Sequence, residues 1–408
     1  MTESTESVYL VGGAVRDELL GLPVKERDWV VIGSNPEAML KRGYRQVGAS
    51  FPVFLHPDTS EEYALARTER KQGHGYHGFA VDFHPGVTLE QDLERRDLTI
   101  NALARGDDGV VIDPYGGRAD LEARILRHVS PAFAEDPLRV LRVARFAARF
   151  ASLGFRVHPE TLELMRQITR SGEIQHLVPE RSWGEIQSGL ATPRPSVFVQ
   201  VLRDCGALAV LLPEVEVLFG VPQPEQYHPE IDTGVHVQMA LDVAAAKGRS
   251  VEVLFAVLLH DLGKGLTPQA EWPSHRGHEE RGLERVQAVC ERLRAPSAYR
   301  ELALSVAALH LRCHAVLSLR PAKVLAMLEA ADLLRRPERL LPFIHACEAD
   351  YLGRKGLQQR SYPQGERLQR ALAAAQSVRA TSLDLAGLSG PAIGERLRQA
   401  RIDAIGAI

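Results

Sequence analysis

Two groups of residues in this chain have the types and spacing that chemistry on phosphates requires. The first starts at Gly12-Gly13, continues to Arg16 one helical turn later, and reaches a pair of acids, Glu26 and Asp28, separated by one residue. A Gly-Gly turn lets backbone approach a ligand closely, and the N-terminus of the following helix offers free N–H groups to an anion. Arg16 can add a charge-assisted contact to a phosphate. If Glu26 and Asp28 share a strand, alternation points both carboxylates at one spot, the arrangement two Mg²⁺ ions need to bridge a triphosphate and an attacking hydroxyl. Taken alone, the Gly-Gly turn and the acid pair are equally at home in a structural turn and a solvated charged one. The second group is His260-Asp261 at the end of an apolar run, with His236 upstream and Asp350 downstream. Imidazole and carboxylate together suit a divalent ion (Ni, Mn, Co or Mg) that could activate water against a phosphoester. His278 and His310 are possible auxiliaries, while His275 and His314 read as surface residues.

Arginines cluster near the first group. In RRDLTINA (95–102), Arg95 and Arg96 can grip phosphates, and Asp97 and Asn101 at i and i+4 can pin a helix end or a ribose. In EDPLRVLRVARFAARF (135–150), Pro137 suits the first position of a helix. Along it Val140, Val143, Ala147 and Phe150 form an apolar stripe, and Arg142, Arg145 and Arg149 fall on the opposite side. A stripe of arginines without interspersed acids points to phosphate or base contact.

The elements that must position these residues are legible in outline. From Val8 to about Asp113, short β-branched runs alternate with helical stretches and Gly/Pro turns, a mixed α/β pattern. From about Pro131, Leu, Ala and Arg recur at spacings of three and four, which predicts helices. The Pro-rich run from Val221 to Pro229 interrupts them and reads as a linker. The run from Val251 to Leu259 predicts a buried helix that ends in the glycines after His260-Asp261.

GGAVRDELLG, the acid pair, RTERK (67–71), RRDLTINA and EDPLRVLRVARF, in this order and spacing, resemble the class II tRNA nucleotidyltransferases and related poly(A) polymerases of the polymerase-β superfamily. The order His236, His260-Asp261, Asp350, with HDLGK intact, resembles the HD phosphohydrolases. Together the motifs span most of the chain and are similar to bacterial CCA-adding enzymes that carry an HD domain. The resemblance implies an α+β head of the polymerase-β nucleotidyltransferase type, a mainly α-helical neck and body, and an all-α HD domain. The expected boundaries are 1–135, 136–225 and 226–355, with a helical C-terminal tail at 356–408. It implies CCA addition to tRNA from CTP and ATP, with Mg²⁺ at Glu26 and Asp28. Gly13, Arg16, Arg96, Arg142 and Arg145 would hold the nucleotide, and Asp136 and Arg139 would read the base edge. Gly73 to Gly78 would be the loop that helps switch CTP to ATP. His236, His260, Asp261 and Asp350 would bind a second metal, Ni²⁺ by resemblance, for phosphatase, 2′-nucleotidase and 2′,3′-cyclic phosphodiesterase activity. Arg149, Arg156 and Arg166 would contact RNA. The family commonly has Asp where Glu26 stands, so the added methylene must be accommodated at the metal; a third carboxylate is usual in the wider superfamily, and Glu62, before the strand-like run Tyr63 to Ala66, is the candidate the resemblance implies.

The composition is consistent with this outline. A hydrophobic share of 45% and a charged share of 25% are those of a globular protein, and 408 residues predict more than one domain. The four cysteines form no CxxC pair, so neither a zinc ribbon nor a disulfide framework is expected. No signal-peptide or membrane-spanning pattern is visible, and a cytoplasmic monomer or homodimer is the expectation. The net charge of −3 requires any RNA-binding surface to be local. Alternatives left open are a poly(A) polymerase, an enzyme adding only CC or only A, and an HD phosphohydrolase with a vestigial head.

Overall fold

The computed structural model describes residues 6–47, 53–71, 79–384 and 388–408. The chain forms two compact units, Met1–Glu185 with Gln200–Leu211, and Ile186–Val199 with Leu212–Ile408. Residues 1–135 thus fall wholly in the first unit and 226–408 in the second, while residues 136–225 are divided between them.

The first unit is built on a mixed sheet. Its strands are β1 (Ser7–Val11), β2 (Asp28–Ile32), β3 (Arg45–Val47), β4 (Val53–Leu55), β5 (Glu62–Leu65), β8 (Ala104–Arg105) and β9 (Val111–Ile112), in the order β3-β4-β5-β2-β1-β8-β9. A separate ribbon pairs β6 (Thr68–Lys71) with β7 (Phe79–Asp82). β2 runs antiparallel to β1 and parallel to β5, with Val11 opposite Asp28 and Asp28 level with Glu62. Alternation then sorts the side chains of these central strands. Val11 and Val30 are buried in one cluster with Leu93 and Ala104, and Val31 and Leu65 in another with Met39 and Phe54. The acids at the start of the strand are left at its rim. β1 runs into the helix Gly13–Leu19 through Gly12, whose φ of +68° is the left-handed region that favours glycine. Thr88 and Gln91 form a reciprocal capping box on the helix Leu89–Glu94, which carries the chain to Arg95. The helix Leu138–Phe150 buries Val140, Val143, Ala147 and Phe150, as its periodicity predicts.

The second unit is helical. Thr233–Ala246, Val251–Leu259, Ser297–His314 and Leu340–Leu352 pack against one another. The run Val253 to Leu259 is fully buried, which its unbroken apolar sequence requires. That helix stops at Leu259, and His260-Asp261 occupies the junction with a 3₁₀ turn, Leu262–Leu266. The segment from Val221 to Pro229 is not a linker. It lies inside this unit, with Gln223 and His228 buried and Gln223 N donating to Ile231 O at 2.7 Å. Nor do the last residues hang free: Pro363–Ser377 and Gly390–Gly406 pack on each other and on Pro321–Ala330, burying Leu368, Leu372 and Ile405. Among the described residues, no helix is long and apolar enough to cross a membrane.

Candidate functional site

In the first unit the Gly12 turn, the start of β2, the end of the Leu89–Glu94 helix and the arginine-bearing helix Leu138–Phe150 enclose one cleft of about 680 Å³. Nine arginines and four carboxylates line it, so its field favours a polyanion. The residues expected to hold Mg²⁺, the nucleotide and the base edge all line it: Gly13, Arg16, Glu26, Asp28, Arg96, Asp136, Arg139, Arg142 and Arg145. Arg149, expected among the RNA contacts, lines it too. Arg156 lies exposed on a short strand elsewhere in the unit, and Arg166 donates to Asp204 O at 3.0 Å. The structure therefore does not gather the three predicted RNA contacts at one place.

The strand pairing refines the view of the acid pair. β2 begins at Asp28, so Glu26 precedes the strand and does not alternate along it, yet both carboxylates reach the cleft. Glu62 sits level with Asp28 on β5 but lines a neighbouring hollow that Glu26 and Asp28 share. Among the described residues no hydrogen bond or ion pair ties down the Asp28 or Glu26 carboxylate. Desolvation pushes the Asp28 carboxyl above its usual range, Arg96 opposes the shift and Glu26 adds to it. Two uncommitted carboxylates facing an arginine-rich cleft form an oxygen-donor set of the kind hard divalent ions take.

The arginines are not an unpartnered stripe. The acids that balance them come from other elements, where a helical-wheel reading cannot find them. Buried Asp92 holds Arg95 at 2.6 Å and Arg96 at 3.1 Å. Asp97, 6% exposed, accepts from Leu98 N, Asn101 Nδ2 and Arg142 Nε, each at 2.8 Å. Burial alone would raise its pKa, but the Arg142 charge and the Asn101 hydrogen bond outweigh it and hold Asp97 well below the usual carboxylate range. Glu185 receives Arg145 Nε at 2.7 Å, and Asp17 receives both Arg16 Nε and Arg149 Nη2 at 2.8 Å. Arg16 also donates to Asn101 Oδ1, and its guanidinium lies over the rings of Phe146 and Phe150. Buried in this way, Arg16 has its pKa lowered by desolvation, with Asp17 opposing. Each guanidinium is thus held at one edge, which fixes its direction before any ligand arrives. Arg139 donates to the carbonyls of Ala132 and Arg95 at 2.8 and 2.5 Å. Asp136 caps Leu138 N at 3.0 Å and pairs with Arg181 at 3.0 Å. Asp17, Asp92, Arg181 and Glu185 were not singled out from sequence. The segment Gly73 to Gly78 lies outside the described residues.

In the second unit, the four predicted ligands converge from two helices, Thr233–Ala246 and Leu340–Leu352, and from the junction that follows a third, Val251–Leu259. His236 Nε2 lies 3.0 Å from Asp350 Oδ1, and His260 Nε2 lies 3.1 Å from Asp261 Oδ2 and 3.7 Å from Asp350 Oδ1. All four residues are at most 2% exposed. Burial would raise both aspartates; the charges of His260 and Lys264 on Asp261, and of His314 and His260 on Asp350, hold both well below their usual range. His260 Nδ1 donates to Val257 O at 2.7 Å, which leaves the Nε2 lone pair facing the acids. That Nε2 and Asp261 Oδ1 are buried without a hydrogen bond. Buried polar atoms close together yet unbonded are what a metal ion's ligand set looks like.

The surrounding layer corrects the reading of the remaining histidines. His314 is not a surface residue: its Nε2 reaches Asp350 Oδ2 at 2.7 Å, and its Nδ1 reaches Tyr362 OH at 3.1 Å. His275 is buried too, donating from Nε2 to Pro222 O at 2.8 Å. Glu230, missed in the sequence, lies 3.0 Å from His236 Nδ1 and from His228 Nδ1. Lys264 Nζ bridges Asp261 Oδ2 at 2.7 Å and Gln223 Oε1 at 2.5 Å. Carboxylates and histidines in these positions orient ligands.

Residues 8–127 match the family model of the poly A polymerase head domain, and 154–219 match that of the probable RNA and SrmB-binding site of polymerase A. Residues 233–354 match the HD domain. Over 97% of its length the chain is 61% identical to a multifunctional CCA protein of Thioalkalivibrio sulfidiphilus, covering 97% of that protein. In fold it is similar to the Bacillus stearothermophilus CCA-adding enzyme in complex with CTP (TM-score 0.65, 22% identity, 98% of this chain and 89% of that one). It is likewise similar to the Thermotoga maritima CCA-adding enzyme complexed with tRNA (TM-score 0.63, 19% identity, 99% and 88%).

Proposed function

The chain belongs to the family of multifunctional CCA proteins, CCA-adding nucleotidyltransferases with an HD phosphohydrolase domain, and from that premise we propose which of its residues do the work. The reaction adds C, C and A to tRNA 3′ ends from CTP and ATP. In each step the tRNA 3′ oxygen forms a bond to the α-phosphorus, the bond to the β-phosphate oxygen breaks, and pyrophosphate leaves. Glu26 and Asp28 would hold Mg²⁺, which when bound lowers the cost of deprotonating the hydroxyl and of developing phosphate charge.

The protein's own part is positioning and neutralisation. The Gly12 turn lets the triphosphate approach the backbone, and Arg16, Arg96, Arg142 and Arg145 hold its oxygens, each steadied by the acid at its other edge. Asp136 and Arg139, one acceptor and one donor at the start of the same helix, read the base edge; a small reorientation suits either cytosine or adenine. Arg149, beside Arg16 on Asp17, meets the RNA end, and Arg156 and Arg166 meet phosphates farther along the tRNA. The observation that carries this reading is the single cleft in which the acid pair, the phosphate-facing arginines and the Asp136–Arg139 pair all open. The test is the terminal sequence made by Arg139→Ala. Base selection should degrade while addition continues; unaltered CCA ends would remove the template role from Arg139.

For the second site, His236, His260, Asp261 and Asp350 would hold a divalent transition metal such as Ni²⁺, which when bound makes water nucleophilic at neutral pH. Glu230 and His314 fix the ligands' direction, and Lys264 balances Asp261. Substrates of this site are phosphomonoesters, 2′-nucleotides and 2′,3′-cyclic phosphates, the last chemically akin to damaged RNA ends. Hydrolysis of 2′,3′-cyclic nucleotide by wild type and not by Asp350→Asn is the expected result; equal rates would contradict it.

A further inference from the structure

One charge beside the second site has no hydrogen-bond partner. Two residues after the helix Leu340–Leu352, and one turn beyond Asp350, stands Arg354, whose side chain is 13% exposed. Its Nε is buried without a hydrogen bond, and among the described residues the rest of its guanidinium makes none either. The acid it faces is Asp350, but Nη2 to Oδ1 is 3.7 Å, too far for a hydrogen bond, and that oxygen already faces His236 Nε2 at 3.0 Å. The guanidinium also lies over the Tyr351 ring, 5.4 Å from its centre. Other groups around the cluster are served. Lys264 has Asp261 Oδ2 and Gln223 Oε1, His314 has Asp350 Oδ2, and His278 Nε2 lies 3.2 Å from Asp261 Oδ1. The backbone at Arg354 is held on both sides. A Cβ on Gly353 would stand 2.5 Å from Ala240 Cα, so glycine there lets the helix end close on Thr233–Ala246. Lys355 N donates to Glu230 Oε2 at 3.1 Å, and the same acid faces His236 and His228.

A guanidinium does not shed its proton, and burying its N–H groups without acceptors is costly. Balancing Asp350 does not account for the placement. With a divalent ion on Asp350, the carboxylate's charge is already matched, and a guanidinium beside that ion is repelled unless an anion enters between them. We propose that Arg354 binds the substrate's phosphate at the second site, donating from its Nε edge to two non-bridging oxygens of a phosphomonoester or a 2′,3′-cyclic phosphate. The planar fork of a guanidinium matches two phosphate oxygens, and both substrates carry at least two. Tyr351 covers a face of the guanidinium and leaves its edge to the ligand. The pinned backbone sets the direction of that edge before substrate arrives. Because negative charge grows on the phosphate oxygens during the displacement by water, the contact strengthens in the transition state. The inference rests on the reading of His236, His260, Asp261 and Asp350 as a metal-dependent hydrolytic site.

The experiment uses the full-length chain loaded with Ni²⁺, p-nitrophenyl phosphate as the monoester and inorganic phosphate as the competing anion. Arg354→Gln should raise KM for the monoester and the inhibition constant of phosphate roughly tenfold to a hundredfold, the worth of one charged hydrogen-bonded contact. Arg354→Lys, which keeps the charge but not the fork, should fall between wild type and Arg354→Gln. Both variants should retain as much Ni²⁺ per chain as wild type and still add CCA to tRNA, which reports that the metal site and the fold are intact. A second readout needs no turnover. In an Asp28→Ala background, which removes the head's metal, bound Ni²⁺ should broaden the phosphorus magnetic resonance of inorganic phosphate, and Arg354→Gln should remove most of that broadening. Unchanged KM and unchanged broadening would overturn the phosphate role. Loss of Ni²⁺ from Arg354→Gln would overturn it as well, since Arg354 would then steady the metal ligands. A wild-type chain that neither retains Ni²⁺ nor hydrolyses the monoester would overturn the reading of the second site itself.

Discussion

Asp97→Ala is the perturbation for which the cleft makes its most quantitative statement. The Asp97 carboxylate serves three donors from a position 6% exposed. Removing it leaves Leu98 N–H and the Asn101 amide without an acceptor, at about 1–3 kcal/mol each. Arg142 adds only about 0–1 kcal/mol, since its side chain is 37% exposed and keeps Glu185 at 3.7 Å. The expected loss is therefore about 4 kcal/mol, a fall of roughly 8–16 °C in the melting of a unit this size. Calorimetry of the full chain reads it, with the second unit's transition as internal reference. Asp97→Asn keeps one acceptor oxygen but turns an N–H toward Arg142, so about half the loss is expected. The sign of the pH dependence follows from the depressed folded pKa. The Asp97 contribution is complete above the unfolded value of about 3.9 and is lost as pH falls through the lower folded value. The difference between wild type and Asp97→Ala should therefore be flat from about pH 5 to 8. With Arg142 released, KM for both CTP and ATP should rise about tenfold, one charge-assisted contact's worth. A stability loss under about 1 kcal/mol, or a difference that changes between pH 5 and 8, would refute the assignment of Asp97 as the buried hub.

Three further outcomes follow from the geometry. A Cβ on Gly12 would stand 2.7 Å from Arg96 Nη1 at a φ of +68°, so Gly12→Ala should raise KM for both nucleotides and leave phosphohydrolysis intact, as parallel assays of one preparation will tell. Gly263→Ala should do the reverse, because its Cβ would stand 1.9 Å from His278 O and push that segment off the metal cluster; CCA addition should survive in the same preparation. Adding Ni²⁺ to chelator-treated protein should stabilise the second unit by about 2.7 kcal/mol at a hundredfold excess over Kd, seen as an upward shift of that unit's transition alone.

Much of both sites was legible in the residues because their chemistry is local. The Gly-Gly turn, the acid pair and the His-Asp dyad each sit within a few residues, and the apolar stripe of the arginine helix follows from its period. What escaped is long-range pairing. Asp17, Asp92 and Glu185 read as ordinary acids until folding sets them against Arg149, Arg95 and Arg145. The run from Val221 to Pro229 reads as a linker because proline marks turns, yet Gln223 and His228 are buried, one against Lys264 and the other against His236. His314 reads as a surface residue because nothing near it in sequence is a partner, and only the fold brings Asp350 to it. Glu26 fell outside the strand because β2 starts two residues later, although the cleft still receives it.

The central claim is that the cleft itself selects C, C and A and then stops. Its most direct test gives the purified chain Mg²⁺, CTP, ATP and a tRNA transcript lacking the terminal CCA, and sequences the 3′ ends. Ends that terminate at CCA are predicted, with Asp28→Ala inactive in transfer but still able to hydrolyse phosphoesters. Extended A-tails, or no addition by the unaltered chain, would contradict the account.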